Sequence, residues 1–412
     1  MSTEYGYGES DSWFARAERV IPGGIYGHQS PGLLTRGEYP SFTHSAEGCH
    51  LRDIDGNRYI DFLCGYGPIV LGYNHPVVEK AVERQRKLGD TMTLPSVRSV
   101  ELAEQLVGMT PSADWAMFAK NGSDVCTWAL AIARKATGRD LVVMAEHAYH
   151  GVHGWCNGIT AGFPDSDRTT IRPVNWNDSA ELEAVFDGQG ENIAAVILTP
   201  FRHEAFEDSV MPADGYLERA RALCTQHGAL LISDDVRTGF RLDMGGSMQK
   251  WGVTPDLLCY SKALANGHPL SALLGTEALR EAARQVFVTG TFFLGAVSIA
   301  ASLATLTEIG ATGAIDHMHA MGLRLCEGLA ERADTAGLEI RLSGPPSLPY
   351  MRFAEDGDGF NRNRVFCGAA ARRGVLFHPH HNWFLMAAHQ KEDIDEALTV
   401  ADEAFAAVKD AF

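Results

Sequence analysis

Ala229-Leu230-Leu231-Ile232-Ser233-Asp234-Asp235-Val236 is an apolar run of strand length that ends in two adjacent carboxylates. A run apolar at consecutive positions, rather than at alternate ones, reads as a strand covered on both faces, as in a parallel sheet. Similar runs lie on either side of it. Residues 193–198 precede a helical pattern at 215–227, and residues 257–260 and 270–274 follow. Upstream, 116–119 leads into a helical pattern at 123–137, and 141–145 into a glycine-rich loop. Strands alternating with helices predict βαβ units, hence an α/β fold with a mainly parallel sheet flanked by helices. The end of the chain has a different rhythm. Helical patterns at 314–336, 360–373 and 391–412 flank short strand-like runs, which predicts a smaller α+β domain. Near the start, 51–54 and 58–62 flank the turn Asp55-Gly56-Asn57 and read as a β-hairpin. The expected division is an N-terminal segment 1–62 that joins the small domain, a large domain 63–309, and the C-terminal small domain 310–412.

The formal net charge of −17 disfavours nucleic acid and anionic membrane surfaces as partners. No apolar run approaches the roughly 20 residues that span a bilayer. The polar, acidic N-terminus is unlike a secretory or mitochondrial leader. Eight scattered cysteines, with no CxxC pair, read as reduced thiols, and the expected location is cytoplasmic. No metal site is expected.

In open α/β sheets ligands collect at the carboxyl ends of strands. Three such ends carry unusual groups. Ala119-Lys120-Asn121-Gly122-Ser123-Asp124 opens a helix, where unsatisfied N–H groups, a hydroxyl and a glycine suit a phosphate. The same residues also make an ordinary helix cap. The pair Asp234-Asp235 is costly after a buried strand unless hydrogen-bonded or functional, and one carboxylate could hold a cationic ring nitrogen. Lys262, in Ser261-Lys262-Ala263-Leu264-Ala265-Asn266-Gly267, stands among small and apolar residues. Desolvation there would depress its pKa and make it an imine-forming amine, although a snorkelling lysine has the same surroundings. On successive βα units, these three groups are what an aldehyde cofactor with a phosphate tail and a pyridine nitrogen requires of a protein.

The chain resembles the class III (ornithine/ω-amino type) aminotransferases of pyridoxal-phosphate fold type I, and within them the glutamate-1-semialdehyde aminomutase-like proteins. The resemblance extends from Ile21-Pro22-Gly23-Gly24, through Asp53-Ile54-Asp55-Gly56-Asn57-Arg58-Tyr59-Ile60-Asp61 and Gly65-Tyr66-Gly67-Pro68, to Ala387-Ala388-His389 and Glu392-Asp393-Ile394-Asp395. It implies pyridoxal 5'-phosphate as cofactor, bound by the large domain, with Lys262 as the Schiff-base lysine and Asp234 as the partner of the pyridinium N–H. It further implies Gly122 and Ser123 as the phosphate turn, Tyr149 stacked on the cofactor ring and Val236 on the opposite face. Thr291 resembles a threonine that reaches the cofactor phosphate of a partner subunit, which implies a homodimer. The implied reaction is ping-pong transfer of an amino group between an amine or amino acid and a carbonyl acceptor. An intramolecular aminomutase is the alternative.

Some positions depart from the family pattern. Asp235 stands where the family has glutamate, and Arg237 follows, to pair with Asp235 or face the substrate. After Gly290-Thr291 the chain continues Phe292-Phe293-Leu294-Gly295-Ala296. The arginine that many relatives place near the C-terminus for a substrate carboxylate has no counterpart in 377–388, which carries His378, His380, His381, Asn382 and Trp383 instead. Tyr26, His28, Tyr66, Arg237, His381 and Trp383 are the expected substrate residues, and the expected substrate is bulky or lacks a carboxylate.

Overall fold

In a computed structural model of the protein, the residues described are 4–412 except 31, 32, 35, 36, 160 and 358. The chain divides into two compact units. The first comprises Met1–His75, Ala205–Ser209 and Gly313–Phe412, and the second Pro76–Glu204 and Val210–Thr312.

The first unit opens with β1 (Thr43–Glu47), β2 (His50–Asp53) and β3 (Arg58–Asp61), paired antiparallel. The β2–β3 turn is held by Asp53, whose Oδ1 accepts from the backbone N–H of Asn57 at 2.8 Å and whose Oδ2 accepts from the Asn57 side chain at 2.8 Å. Such side-chain to backbone bonding is why Asp and Asn mark turns.

The second unit is built on a seven-stranded sheet. Its strands are β4 (Trp115–Ala119), β5 (Leu141–Ala145), β6 (Ile171–Val174), β7 (Ile193–Leu198), β8 (Leu230–Asp234), β9 (Leu257–Tyr260) and β10 (Ser271–Gly275), in the order β4-β10-β9-β8-β7-β5-β6. Strands β6, β5, β7, β8 and β9 run parallel, while β10 is antiparallel to both β9 and β4. Every residue of β7 is buried, which accounts for its unbroken apolar run. β6 contains Pro173, which lacks an N–H and is tolerated because this strand forms the sheet edge. Helix Gly122–Thr137 turns Val125, Cys126, Ala129, Leu130, Ile132 and Ala133 inward, into the same apolar core as β7 and β8. Each large apolar side chain buried there contributes about 1.5–3 kcal/mol. Because β7, β8 and β9 are parallel, the loops beginning at Thr199, Asp235 and Ser261 leave the sheet at one edge.

Helix Ala296–Thr312 is apolar nearly all round and mostly buried. Among the described residues no single helix is long and apolar enough to cross a membrane. The first unit closes with β11 (Ile340–Ser343), β12 (Tyr350–Phe353) and β13 (Val375–Leu376), together with helices Ala314–Ala336, Asn361–Ala371 and Lys391–Ala411. β11 pairs with β12, and β13 adds parallel to β3.

Candidate active site

At the end of β8 the two neighbouring carboxylates have different surroundings. Asp234 is 4% exposed. Its Oδ1 accepts from the Val236 N–H at 3.0 Å, and its Oδ2 lies 2.7 Å from His150 Nδ1. A carboxylate only accepts, so His150 Nδ1 is the donor, which fixes the tautomer of a neutral ring. The ring lies parallel to Trp155, with centroids 6.1 Å apart, and Nε2 is buried without a hydrogen-bond partner among the described residues. Asp235 is fully buried and accepts from Ser233 Oγ, Thr238 Oγ1 and, at 2.6 Å, the Ser247 N–H. Burial, only partly offset by these bonds, raises its pKa to about 6. Asp235 therefore holds the turn together, while Asp234 presents a carboxylate braced by a histidine from another loop.

Lys262 begins the helical turn Lys262–Ala265 beyond β9 and is half-buried at φ +43°. A non-glycine residue in the left-handed region is strained by about 1–3 kcal/mol and persists only when its surroundings hold it there. Here Ser261 does so: its Oγ donates to the Leu270 carbonyl at 3.0 Å, and its own carbonyl accepts from the Leu264 N–H at 2.9 Å. Burial, reinforced by the charges of Arg237 and Arg241 and opposed by Asp234, lowers the lysine pKa to about 7. β9 pairs with β8 so that Asp234 lies opposite Cys259, three residues before Lys262.

The third group lies at the start of helix Gly122–Thr137, capped by Asp124, whose carboxylate accepts from the Asn121 N–H at 3.0 Å. A Cβ on Gly122 would come within 2.8 Å of Val236 Cγ1, so glycine is what lets this helix start approach the β8 turn. A Cβ on Gly151 would meet Ser123 Oγ at 2.4 Å, and Ser123 Oγ accepts from the Val152 N–H at 3.1 Å. The Gly122-Ser123 turn, Val236 and the loop carrying Tyr149 and His150 are thus in contact. Tyr149 is 39% exposed, and burial raises its phenol pKa with the charges of Arg237 and Asp234 in range. A depressed amine, a buried carboxylate braced by histidine, and a helix start kept clear by glycine fit pyridoxal phosphate.

Arg237 is buried, and its Nη1 donates to the His203 carbonyl at 2.6 Å. Thr291 is exposed, in a turn just before helix Ala296–Thr312. The other expected substrate residues belong to the first unit. There Tyr66 Oη donates to the His28 carbonyl at 2.6 Å, and the His381 ring lies edge-on to Tyr66 at 5.6 Å. Tyr26 is 78% exposed. Trp383 is a correction to the expected pocket. Its indole is fully buried, stacked on Phe377 at 4.1 Å, with Nε1 donating to the His378 carbonyl at 2.9 Å, so it is a core residue. His378, His380 and His381 are buried too, and burial lowers the first to a pKa of about 3 and the second to about 4. Elsewhere in this unit Cys49, His50 and Asp393 bring possible ligand atoms within 4.8 Å of one another, but the Arg58 guanidinium lies 2.7 Å from His50 Nε2, a cation where a metal ion would have to sit.

Sequence reasoning missed His150, which was visible only as the neighbour of Tyr149, and whose partner Asp234 lies 84 residues away.

The family model for class-III aminotransferases matches residues 34–405. The aminopentol aminotransferase of Sphingopyxis macrogoltabida is 46% identical over 393 residues, covering 95% of this chain and 93% of that protein. The structure of the PLP internal aldimine form of the FumI protein from Sphingopyxis sp. MTA144 superposes with a TM-score of 0.96 at 45% identity, covering 98% of this chain and 97% of that one. A glutamate-1-semialdehyde 2,1-aminomutase from Syntrophobacter fumaroxidans is less similar, 35% identical over 429 residues and covering 97% of this chain and 98% of that protein.

Proposed function

The chain belongs to the class-III aminotransferases, and from that premise we propose that Lys262 is the amine that holds its pyridoxal phosphate, with Asp234 and His150 as the acid-base support of the ring nitrogen. The protein is a pyridoxal-phosphate-dependent aminotransferase of fold type I. The observation that carries the residue assignment is the strained, half-buried Lys262, its pKa near 7, one strand over from a carboxylate braced by histidine.

When bound, the cofactor supplies an aldehyde carbon and a ring that withdraws electrons from the substrate carbon. Asp234 holds a proton on the ring nitrogen, and in a buried site that ion pair acts more strongly than it would in water. His150, donating from Nδ1, keeps the Asp234 carboxylate oriented. Lys262 Nζ, half unprotonated near pH 7, is matched to taking a proton from the substrate carbon and returning it. The helix start at Gly122 and Ser123 binds the phosphate through backbone N–H groups and the Ser123 hydroxyl. Tyr149 and Val236 are the residues that would flank the ring.

The donor is an amine without a carboxylate beside the amino group. This reading draws on the named substrate of the 46% identical aminopentol aminotransferase and on the lack of arginine in 377–388. The enzyme acts as a cytoplasmic homodimer, with Thr291 serving the partner's cofactor phosphate. The test is a half-reaction. Given an amino-alcohol donor alone, the enzyme should lose the visible absorbance of the bound aldehyde form and stop, with one carbonyl product per site. Continued turnover without acceptor would instead indicate the intramolecular aminomutase.

A further inference from the structure

Thr127 stands in helix Gly122–Thr137 four residues after Ser123, so the two side chains share one face of that helix. Both hydroxyls reach the loop beyond β5 that carries Tyr149 and His150. Ser123 Oγ accepts from the Val152 N–H at 3.1 Å. Thr127 Oγ1 accepts from Trp155 Nε1 at 3.0 Å and lies 2.6 Å from His153 Nδ1. An indole N–H only donates, so the threonine's own proton is left for the imidazole.

This use of a helical threonine is unusual within the chain. A threonine inside a helix can turn its hydroxyl back to the carbonyl four residues earlier. Thr137, Thr225, Thr305 and Thr399 all do so. Thr127 instead gives its hydroxyl to a loop, where it meets two rings at once.

The loop gains a fixed indole from this. His150 Nδ1 donates to Asp234, while its Nε2 has no hydrogen-bond partner among the described residues. One hydrogen bond sets a distance but leaves the ring free to swing about it. The plane of the imidazole comes from Trp155, whose ring lies within 13° of parallel at a centroid separation of 6.1 Å. Trp155 is held in turn by Thr127. A line of contacts therefore runs from the helix through Thr127, Trp155 and His150 to Asp234, all inside the second unit. We propose that Thr127 is a positioning residue for the Asp234–His150 pair, its hydroxyl latching Trp155 and His153 so that the indole sets the plane in which His150 meets the carboxylate.

The proposal rests on Asp234 and His150 supporting the cofactor's ring nitrogen, and the test separates the two. Thr127→Val keeps the size of the side chain and leaves Trp155 Nε1 without its acceptor. In the loaded enzyme, hydrogen exchange of residues 149–157 should quicken on the order of tenfold while the sheet stays protected. A positive ring nitrogen disfavours a second positive charge where the cofactor joins Lys262. Slackening the hold of Asp234 should therefore raise the pH midpoint of the visible absorbance, by about one unit. The rate kcat should fall on the order of tenfold, with KM for the donor changed less. Thr127→Ser keeps the hydroxyl and should restore all three readings. Trp155→Phe leaves the helix untouched and keeps a ring beside His150, so it serves even where Thr127→Val folds poorly; it should move the midpoint the same way. Combining it with Thr127→Val should cost no more than the worse single change. If His150→Phe leaves the midpoint at its wild-type value, the reading of His150 falls and takes the latch with it. If His150→Phe moves the midpoint but Thr127→Val does not, the latch alone is overturned. Unchanged exchange in 149–157 or additive losses in the double variant would overturn it equally.

Discussion

His150 Nδ1 stands 2.7 Å from Asp234 Oδ2, and both side chains are shut away from water. The residues lie in different loops, 84 positions apart in sequence. A buried carboxylate that loses one of its donors bears the desolvation penalty alone, about 1–3 kcal/mol. His150→Phe keeps a ring near Trp155 but removes the donor. It should lower kcat roughly 10- to 100-fold while the protein still takes up cofactor. Steady-state rates beside the visible spectrum of the variant check this, and an unchanged rate would assign His150 to packing alone.

Asp234→Asn keeps the size of the side chain and removes its charge. Without that charge nothing holds the ring nitrogen protonated, and kcat should fall by roughly 10²- to 10³-fold, the loss typical of one preorganised electrostatic contact. Cofactor affinity should weaken less than the rate. Fluorescence titration of the apoprotein with pyridoxal phosphate, set beside the rates, separates the two effects.

Lys262 has a pKa near 7 in the folded protein against 10.5 in the unfolded chain. In the apoprotein the unfolded state therefore binds more protons between those values, and stability rises with pH from about 7 to 10.5 on this account. Lys262→Met removes the penalty. The variant should melt higher than wild-type apoprotein, with the gap widest below pH 7 and closing towards pH 10.5. The rate at which apoprotein takes up pyridoxal phosphate should rise with pH through a midpoint near 7, because only the neutral amine adds to the aldehyde. Melting curves and stopped-flow absorbance across this range provide both readings.

Gly122→Ala drives a methyl to 2.8 Å from Val236 Cγ1, and Gly151→Ala drives one to 2.4 Å from Ser123 Oγ at a φ of +134°. Each should destabilise the fold by about 1–3 kcal/mol and loosen cofactor binding. Only the first clash involves a side chain that can be trimmed without touching the phosphate turn. Adding Val236→Ala should recover part of the loss in Gly122→Ala, with a coupling of about 0.5–3 kcal/mol in the four-protein cycle. Denaturant melts of the four proteins check this, and simple additivity would mean that the contact does not matter.

The parallel sheet was legible because β7, β8 and β9 carry unbroken apolar runs, and the three chemical groups because they interrupt such runs abruptly. What lay outside the reach of periodicity was anything set by pairing at a distance. β6 hides behind Pro173, acceptable only because the strand turns out to be an edge. Helix Ala296–Thr312 has too little polar face to show a helical period. His150 gains its role from Asp234, and Arg237 its orientation from a backbone carbonyl 34 residues away. Trp383 looked like a pocket aromatic because aromatic residues and histidines surround it in sequence, yet Phe377 and the His378 carbonyl leave its indole no exposed face.

Thr291 is exposed in its own chain, as a residue reaching across a two-fold interface would be before the partner arrives. If it serves the partner's cofactor phosphate, Thr291→Glu should repel that phosphate and empty the site, and Lys262→Ala should abolish turnover. Co-expression of the two inactive variants separates sharing from self-service. In a hybrid dimer with shared sites, both lesions fall in one site and the other is intact. With Thr291 serving its own chain, each site carries one lesion and both are dead. Random pairing makes half the dimers hybrid, with one live site in each, so activity should return to about a quarter of wild type. The same preparation should sediment at twice the 44.8 kDa chain mass. Activity no higher than that of either variant alone would place Thr291 in its own subunit's site or outside the site altogether.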